Sequence, residues 1–374
     1  MANQVVLGRS GLRTSRVVLG SMTLGLGGDA EARRRRLDTL VAAVEAGVTG
    51  IDTAPLYEFG RCEELVGEAL RELKALGLRD RVQVLTKVGL RWSADARGDV
   101  LFRAPDGNGG ERVVRKDSRP EAVRADVEES LRRLGVETLD LVQVHHPDPH
   151  TPIPETMGAL AQLQREGKLR AIGVSNYGAA QMRQAQAALG QVPLASNQVH
   201  YSLVERWPER DLLPTARELG VSVMAYSPLE AGLLRGAPPR EALKRGDPRL
   251  EDARFHPDNV KRVHEAMTKS VVPIARDRSV EPAQVALSYL LAQPALDVVV
   301  VGASSPEQAR QNAAAGGLHL REEELRTISR AFAHVSIDPH ATQTLLWRLS
   351  RRVTRLPSRV KGKVSRVLRG VSGG

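Results

Sequence analysis

Eight short runs rich in β-branched residues, separated by amphipathic helical stretches, constrain this chain more than any other feature of its sequence. The runs lie at residues 16–20, 48–52, 82–87, 139–145, 169–175, 194–199, 221–227 and 296–302. Between them, apolar residues recur at intervals of three and four: Leu37, Leu40, Val41 and Val44 on one stretch, Val123, Val127, Leu131 and Leu134 on another, Ile153, Met157, Leu160 and Leu163 on a third. That spacing places each set on one helical face. Gly47, Gly135 and Gly167 follow such stretches where a helix stops, and Ser118 before Pro120 marks a helix start. Strands that alternate with helices pair in parallel, because a parallel connection needs a crossover. Eight such units within roughly 250–320 residues close into a (β/α)8 TIM barrel. The fold class read from the pattern is therefore α/β.

The opening segment, VVLGRSGLRTSRVVLG, carries a turn-like RSG between apolar runs and reads as a hairpin plugging the barrel bottom. Two long excursions, residues 88–118 and 228–280, follow the third and seventh strands. In a barrel both belong to the C-terminal face, where substrates bind. Residues 336–374 stand apart. They hold nine Lys or Arg and one acid, a net +8 out of the chain's +10, which leaves +2 on residues 1–335. The domain division is thus a barrel over 1–335 and a basic C-terminal extension over 336–374. In that extension Leu345, Leu346, Leu349, Val353 and Leu356, then Val360, Val364, Val367 and Leu368, recur at helical spacing among arginines. Such a stretch over 345–369 can make weak contact with an anionic membrane, the plainer reading being a disordered or self-docked tail. A nearly neutral body gives no reason to expect a specific nucleic-acid partner. One cysteine, Cys62, cannot form an internal disulfide, and neither an 18-residue apolar run nor a signal-peptide pattern is present, so a cytoplasmic location is expected.

Four reactive side chains sit where strands run out. Asp52 ends the second strand with Tyr57 five residues on, Lys87 ends the third and His145 the fourth. Barrel strand ends converge on one mouth, so these groups can meet although distant in sequence. Together they suit carbonyl reduction, which needs a hydride donor and a proton donor. A phenol with a pKa of about 10 is a reluctant acid near neutrality. An ammonium at Lys87 would favour the phenolate of Tyr57, Asp52 would keep Lys87 charged, and His145 would hydrogen-bond the carbonyl. Taken singly each is ordinary: a strand-end Asp is often a turn residue, a loop Tyr is usually packing, a strand-end Lys is usually solvated. No metal site is expected.

The segments GIDTAPLY, LTK, LDLVQVHHPDP, RAIGVSNY, QVHYSL, MAYSPL and VGASSPEQARQN occur in an order that resembles the aldo-keto reductase family over roughly residues 5–330. The resemblance implies Tyr57 as proton donor, Asp52 and Lys87 as its tuners and His145 as the carbonyl-orienting residue. It implies that Ser175, Asn176 and Gln198 hold the nicotinamide carboxamide and that Tyr226 stacks on its ring. Ser227, Leu229 and Gly232 would line the pyrophosphate path. Gly302, Ala303, Ser304 and Ser305 would hold a phosphate ahead of a helix, with Gln308, Gln311 and Asn312 beside the adenosine. Family habit makes NADPH the first cofactor and NADH the alternative. Two departures stand out. His146 occupies a place where the family often has an aromatic residue. Residues 302–308 contain no Lys or Arg for a 2′-phosphate, so Arg310 and Arg276 are the candidate substitutes. Met22, Phe59, Trp92 and His146 are the candidate substrate pocket, which suits a moderately apolar small-molecule carbonyl.

Three other readings compete. Gly25, Gly27 and Ala30 fit a dinucleotide-binding G-x-G-x-x-A, with Asp52 mimicking a ribose-binding acid, but that reading leaves Tyr57, Lys87 and His145 unexplained. Lys87 at a barrel strand end would suit a Schiff-base lyase. The same fold would also serve a redox-sensing regulatory subunit that binds cofactor without turning it over.

Overall fold

The computed structural model describes residues 4–24, 29–106, 110–236, 243 and 247–338. Eight parallel strands close a barrel in sequence order: β1 (Val17–Gly20), β2 (Gly50–Asp52), β3 (Gln83–Val88), β4 (Leu139–Val144), β5 (Leu169–Ser175), β6 (Leu194–His200), β7 (Ser222–Tyr226) and β8 (Leu296–Val301), with β8 pairing back onto β1. Each of the eight runs read from the sequence is one of these strands. The barrel helices are α1 (Ala30–Glu45), α2 (Arg61–Ala75), α3 (Pro120–Leu134), α4 (Ile153–Arg165), α5 (Ala179–Leu189) and α6 (Leu212–Leu219). They are followed by α7 (Pro257–Lys269), α8 (Val271–Asp277), α9 (Pro282–Leu291), α10 (Pro306–Ala314) and α11 (Glu322–Phe332). The predicted helix faces are the buried ones, with Leu40, Val44, Val123, Val127, Met157, Leu160 and Leu163 all inaccessible to solvent.

Residues two apart on a strand share a face, and that period sorts the barrel interior from bottom to top. Val18, Leu85, Leu141, Ala171, Ala195, Met224 and Val298 fill the lower lumen as one apolar cluster. One step up from Leu85 stands Lys87, and two steps up from Leu141 stands His145. The same alternation that builds the apolar plug therefore delivers polar groups to the mouth.

The N-terminal hairpin pairs Gln4–Val6 with Arg13–Ser15 and closes the barrel bottom as expected. Leu7 at its turn is fully buried against the lumen cluster. Gly8 has φ +52, and a Cβ there would lie 2.8 Å from the carbonyl oxygens of both Ala195 and Gly220. Its amide donates to Ser222 Oγ at 2.8 Å.

The structure differs from the sequence reading in two places. The 88–118 excursion is an antiparallel sheet of Leu90–Arg91, Val100–Pro105 and Glu111–Lys116, the last in the middle. Its two longer strands are largely exposed or half-exposed and mixed in polarity, so no apolar run announces them, although the Asp106-Gly107 pair between alternating segments is a hairpin signal. Helix α3 does start at Pro120, but its cap is Arg119, with no side-chain bond. Ser118 instead donates its amide to Asp148 Oδ2 at 3.0 Å. The 228–280 excursion holds short 3-10 turns, α7 and α8. Among the described residues no helix is long and apolar enough to cross a membrane. The basic segment 345–369 and the Gly25–Gly28 part of the dinucleotide-like motif lie outside the described residues.

Gly8→Ala forces both a left-handed alanine and a contact with two carbonyl oxygens. It is expected to cost about 1–3 kcal/mol, seen as a lowered thermal unfolding midpoint. An unchanged midpoint would show that the hairpin is not a fixed plug.

Candidate active site

The strand ends do bring the four groups together. Lys87 Nζ lies 2.6 Å from Asp52 Oδ1, 3.1 Å from the Thr53 carbonyl oxygen and 3.1 Å from Tyr57 Oη. An ammonium has three N–H donors, and here each has an acceptor. Lys87 and Asp52 are each 1% exposed. The ammonium also sits 4.9 Å from the centre of the Tyr57 ring. The Tyr57 ring meets the His145 ring edge-on at 5.9 Å. The His145 amide donates to the Val88 carbonyl at 2.9 Å, which ties β3 to the end of β4.

Electrostatics follow from this burial. Desolvation works against the Lys87 ammonium, but Asp52 and Tyr57 outweigh it and the pKa of Lys87 rises. Burial pushes the Tyr57 phenol up; Lys87 opposes that rise without cancelling it, and Asp52 adds to it. Lys87 thus favours the phenolate as expected, but desolvation is the larger effect and leaves the phenol above its ordinary range. Burial, then the charge of Lys87, holds His145 well below the ordinary imidazole range. Its ring is neutral at pH 7. Burial lowers His146 as well, with Lys116 adding to the effect.

The groups expected around a nicotinamide form one continuous network across the mouth. Tyr226 Oη donates to Asn176 Oδ1 at 3.0 Å, Asn176 Nδ2 donates to the His145 carbonyl at 2.9 Å, and Ser175 Oγ donates to the Gln198 carbonyl at 2.8 Å. Asn176 adopts φ +61. Gln198 has a second task that its sequence position did not announce: its Nε2 donates to Asp52 Oδ2 at 2.8 Å. Asp52 is therefore held on both oxygens. Of the substrate-pocket candidates, Phe59 and Trp92 meet edge-on at 5.2 Å, and His146 stacks on His145 at 5.5 Å. Met22 is 65% exposed at the rim.

Ser227 and Gly232 adopt φ +51 and +97, and Leu229 between them is buried. This strained segment is pinned by Glu230, which is 1% exposed at φ +49. Its Oε1 lies 2.8 Å from His200 Nε2 and its Oε2 accepts from Arg254 Nη1 at 3.2 Å. The His200 ring stacks under Tyr226 at 5.4 Å and 12°. Sequence reasoning missed this trio, although His200 ends a barrel strand as the other site residues do. Six of the eight non-glycine residues with left-handed backbone among the described residues belong to these mouth loops. Strain of that kind persists only where surrounding contacts over-determine it, and it gathers at functional sites.

The strand-eight loop ends in Ser305, whose Oγ caps α10 by accepting from the Gln308 amide at 3.2 Å. Gln308 Oε1 reaches back to the Ser304 amide and hydroxyl at 3.0 and 2.9 Å. Asn312 Nδ2 donates to the Gly302 carbonyl at 3.1 Å, and its Oδ1 accepts from Arg235. Gln311 donates to Glu307 on the exposed side of α10. Of the basic substitutes, Arg276 is exposed beside Asp277, and Arg310 is exposed on α10. Among the described residues Arg235, half-buried, reaches this corner through Asn312, and burial lowers its pKa against a weaker opposing pull from Glu281. The residue types fit a nicotinamide dinucleotide: an amide and hydroxyl set beside a flat aromatic face, a left-handed strap that lets the backbone approach, and a capped helix start for a phosphate.

The sequence pattern of the Aldo/keto reductase family matches residues 16–332. The chain is 35% identical over 326 residues to the NADH-specific methylglyoxal reductase of Escherichia coli (strain K12), covering 85% of this chain and 95% of that one. It is 34% identical over 326 residues to aldo-keto reductase str7 of Strobilurus tenacellus, covering 84% and 88%. Among solved structures it resembles the glycerol dehydrogenase AKR11B4 from Gluconobacter oxydans, with TM-score 0.77, 33% identity, and coverage of 90% of this chain and 97% of that one.

Since the His145 pKa lies below its unfolded value, the folded state resists protonation there. Stability is then full above about pH 6.5 and falls as pH drops below it, by at most about 1.4 kcal/mol per pH unit for one such group. Replacing His145 with Gln should flatten this fall in urea unfolding between pH 7.5 and 5.5. An identical slope in the variant would show that another group carries the dependence.

Proposed function

From the premise that the chain belongs to the aldo/keto reductase family and is an NAD(P)H-dependent carbonyl reductase, we propose how its own residues divide the work. Tyr57 Oη gives the proton to the carbonyl oxygen. Lys87 donates to the Tyr57 oxygen, which leaves the phenolic hydrogen to point toward the mouth, and its charge stabilises the phenolate left behind. Burial keeps that proton on Tyr57 until a carbonyl oxygen gaining negative charge takes it. Asp52, gripped by Lys87 and Gln198, fixes the ammonium in place. Neutral His145 hydrogen-bonds the same carbonyl oxygen and sets its orientation. The bound cofactor supplies the hydride. Ser175, Asn176 and Gln198 position the carboxamide, Tyr226 stacks on the ring with the face opposite to the one His200 backs, and Ser227, Leu229 and Gly232 follow the pyrophosphate. Gly302 and Ser304, ahead of the α10 start, hold a phosphate, and Gln308, Gln311 and Asn312 border the adenosine. The observation that carries this reading is the Lys87 ammonium within 3.1 Å of both a buried carboxylate and the Tyr57 hydroxyl.

The Schiff-base alternative needs an unprotonated amine. Lys87 is raised in pKa and has every N–H engaged, which argues against it. Four reactive groups in mutual contact likewise favour turnover over a purely sensory role.

For the cofactor, family habit favours NADPH, but three observations favour NADH as at least an equal. Residues 302–308 carry no base. The Ser304 amide and hydroxyl are already held by Gln308. A relative of 35% identity is named as NADH-specific.

Tyr57→Phe should lower turnover of an aldehyde by ~10²–10⁴-fold while leaving cofactor affinity, read by nucleotide fluorescence, within about twofold. Wild-type turnover in the variant would remove Tyr57 as the proton donor. The same titration with NADH and NADPH tests the cofactor reading: an NADPH affinity more than about tenfold the tighter, a gap of about 1.4 kcal/mol, would return the preference to NADPH.

A further inference from the structure

The sheet inserted between β3 and α3 carries chemistry that the reductase reading leaves unused. Its middle strand, Glu111–Lys116, presents residues 112, 114 and 116 to one face. Val114 is fully buried, so that face is the one turned toward the barrel. Arg112 and Lys116 flank it. The Arg112 guanidinium lies 4.5 Å from the centre of the Phe59 ring, two residues beyond Tyr57 in sequence, and Phe59 in turn meets Trp92. Lys116, about 13 Å further along the strand, pairs in register with Leu90 and is near enough to His146 to lower its pKa.

Among the described residues neither Arg112 nor Lys116 has a carboxylate within ion-pair distance. Their neighbours are otherwise well matched: Arg103 with Glu111, Arg91 with Asp126, Arg119 with Asp117. On the other face of this strand, Glu111, Val113 and Arg115 line an open cleft of about 500 Å³ with Trp92, Ser93 and Asp106, and Arg112 borders it. Glu111 is taken by Arg103, Asp106 accepts the Gly110 amide, and Arg115 spends a donor on the Gly98 carbonyl. A guanidinium laid on an aromatic face keeps its N–H fork free for a planar two-oxygen acceptor.

We propose that this reductase prefers carbonyl compounds that carry a carboxylate at the end remote from the reacting carbon, and that Arg112 binds that carboxylate against the Phe59–Trp92 pair. Lys116, near His146, adds attraction along the way in. This rests on the reductase reading above and replaces its moderately apolar substrate with an anionic one. Arg112 is a binding residue and takes no part in hydride or proton transfer.

The test compares 4-carboxybenzaldehyde with its uncharged methyl ester, methyl 4-formylbenzoate, in the full chain with saturating cofactor. Wild type should favour the acid by about tenfold in kcat/KM through KM, as a charge-assisted hydrogen-bond pair implies. That preference should shrink with rising salt while ester turnover stays constant. Arg112→Gln should abolish the preference, bringing kcat/KM for the acid down to that of the ester measured in the same variant, and Arg112→Lys should restore part of it. Equal use of acid and ester by wild type at low salt overturns the proposal without any variant, and so does an intact preference in Arg112→Gln. If neither aldehyde oxidises the cofactor, the reductase reading itself fails and takes the proposal with it, a result distinct from turnover of both without preference.

Discussion

The buried pair between Asp52 and Lys87 is the constraint on which the rest of this mouth depends. Two charges that leave water lose solvation that their mutual attraction repays only when the geometry is good and the remaining donors and acceptors are satisfied. Both conditions hold. Each Lys87 N–H has an acceptor, and Asp52 accepts from Lys87 on one oxygen and Gln198 on the other. Removing either partner would strand a buried charge at a cost of about 3–5 kcal/mol. The pair is therefore weak as a source of stability and strong as a fixer of position. It joins β2, β3 and β6, and it sets where the Tyr57 oxygen is polarised.

Other buried carboxylates act the same way on the loops around that centre. Glu230 is held by His200 and Arg254 and pins a run of left-handed residues that isolated chain would avoid. Asp126 binds Arg91 and the Gly89 amide at the root of the inserted sheet. Glu63 takes Arg133 on one oxygen and Thr86 on the other, behind the third strand. Backbone strain and exposed reach at the mouth thus rest on ionic anchors below it, while the apolar lumen and the Leu7 plug keep the barrel from yielding. Preorganisation of this kind places charge before substrate arrives, so little rearrangement is needed during reaction.

The legible part of the chain was the part with a period. The strands of the barrel are buried on both faces or alternate against helices, so their residues are apolar runs bounded by glycine or polar turns, and the sequence shows them directly. Asp52, Lys87 and His145 were legible because they break such runs at one end. The inserted sheet was not, because strands such as Val100–Pro105 are mostly exposed and face no core that would impose a pattern. Ser118 shows the converse error: a residue type suited to capping sits beside a proline that starts a helix, yet its amide serves Asp148, thirty residues on.

Composition, periodicity and strand-end placement by themselves determined the barrel, its closing hairpin and the meeting of Asp52, Tyr57, Lys87 and His145 at one mouth, since those follow from local burial and from a topology that aims every strand end at one face. Only the tertiary structure decided the balance of forces among them. That burial outweighs Lys87 in setting the Tyr57 phenol, that Gln198 reaches Asp52 from 146 residues away, and that Arg112 lies on Phe59 with no carboxylate of the described residues within ion-pair distance all depend on distance and desolvation. Those quantities exist only once the chain has closed on itself.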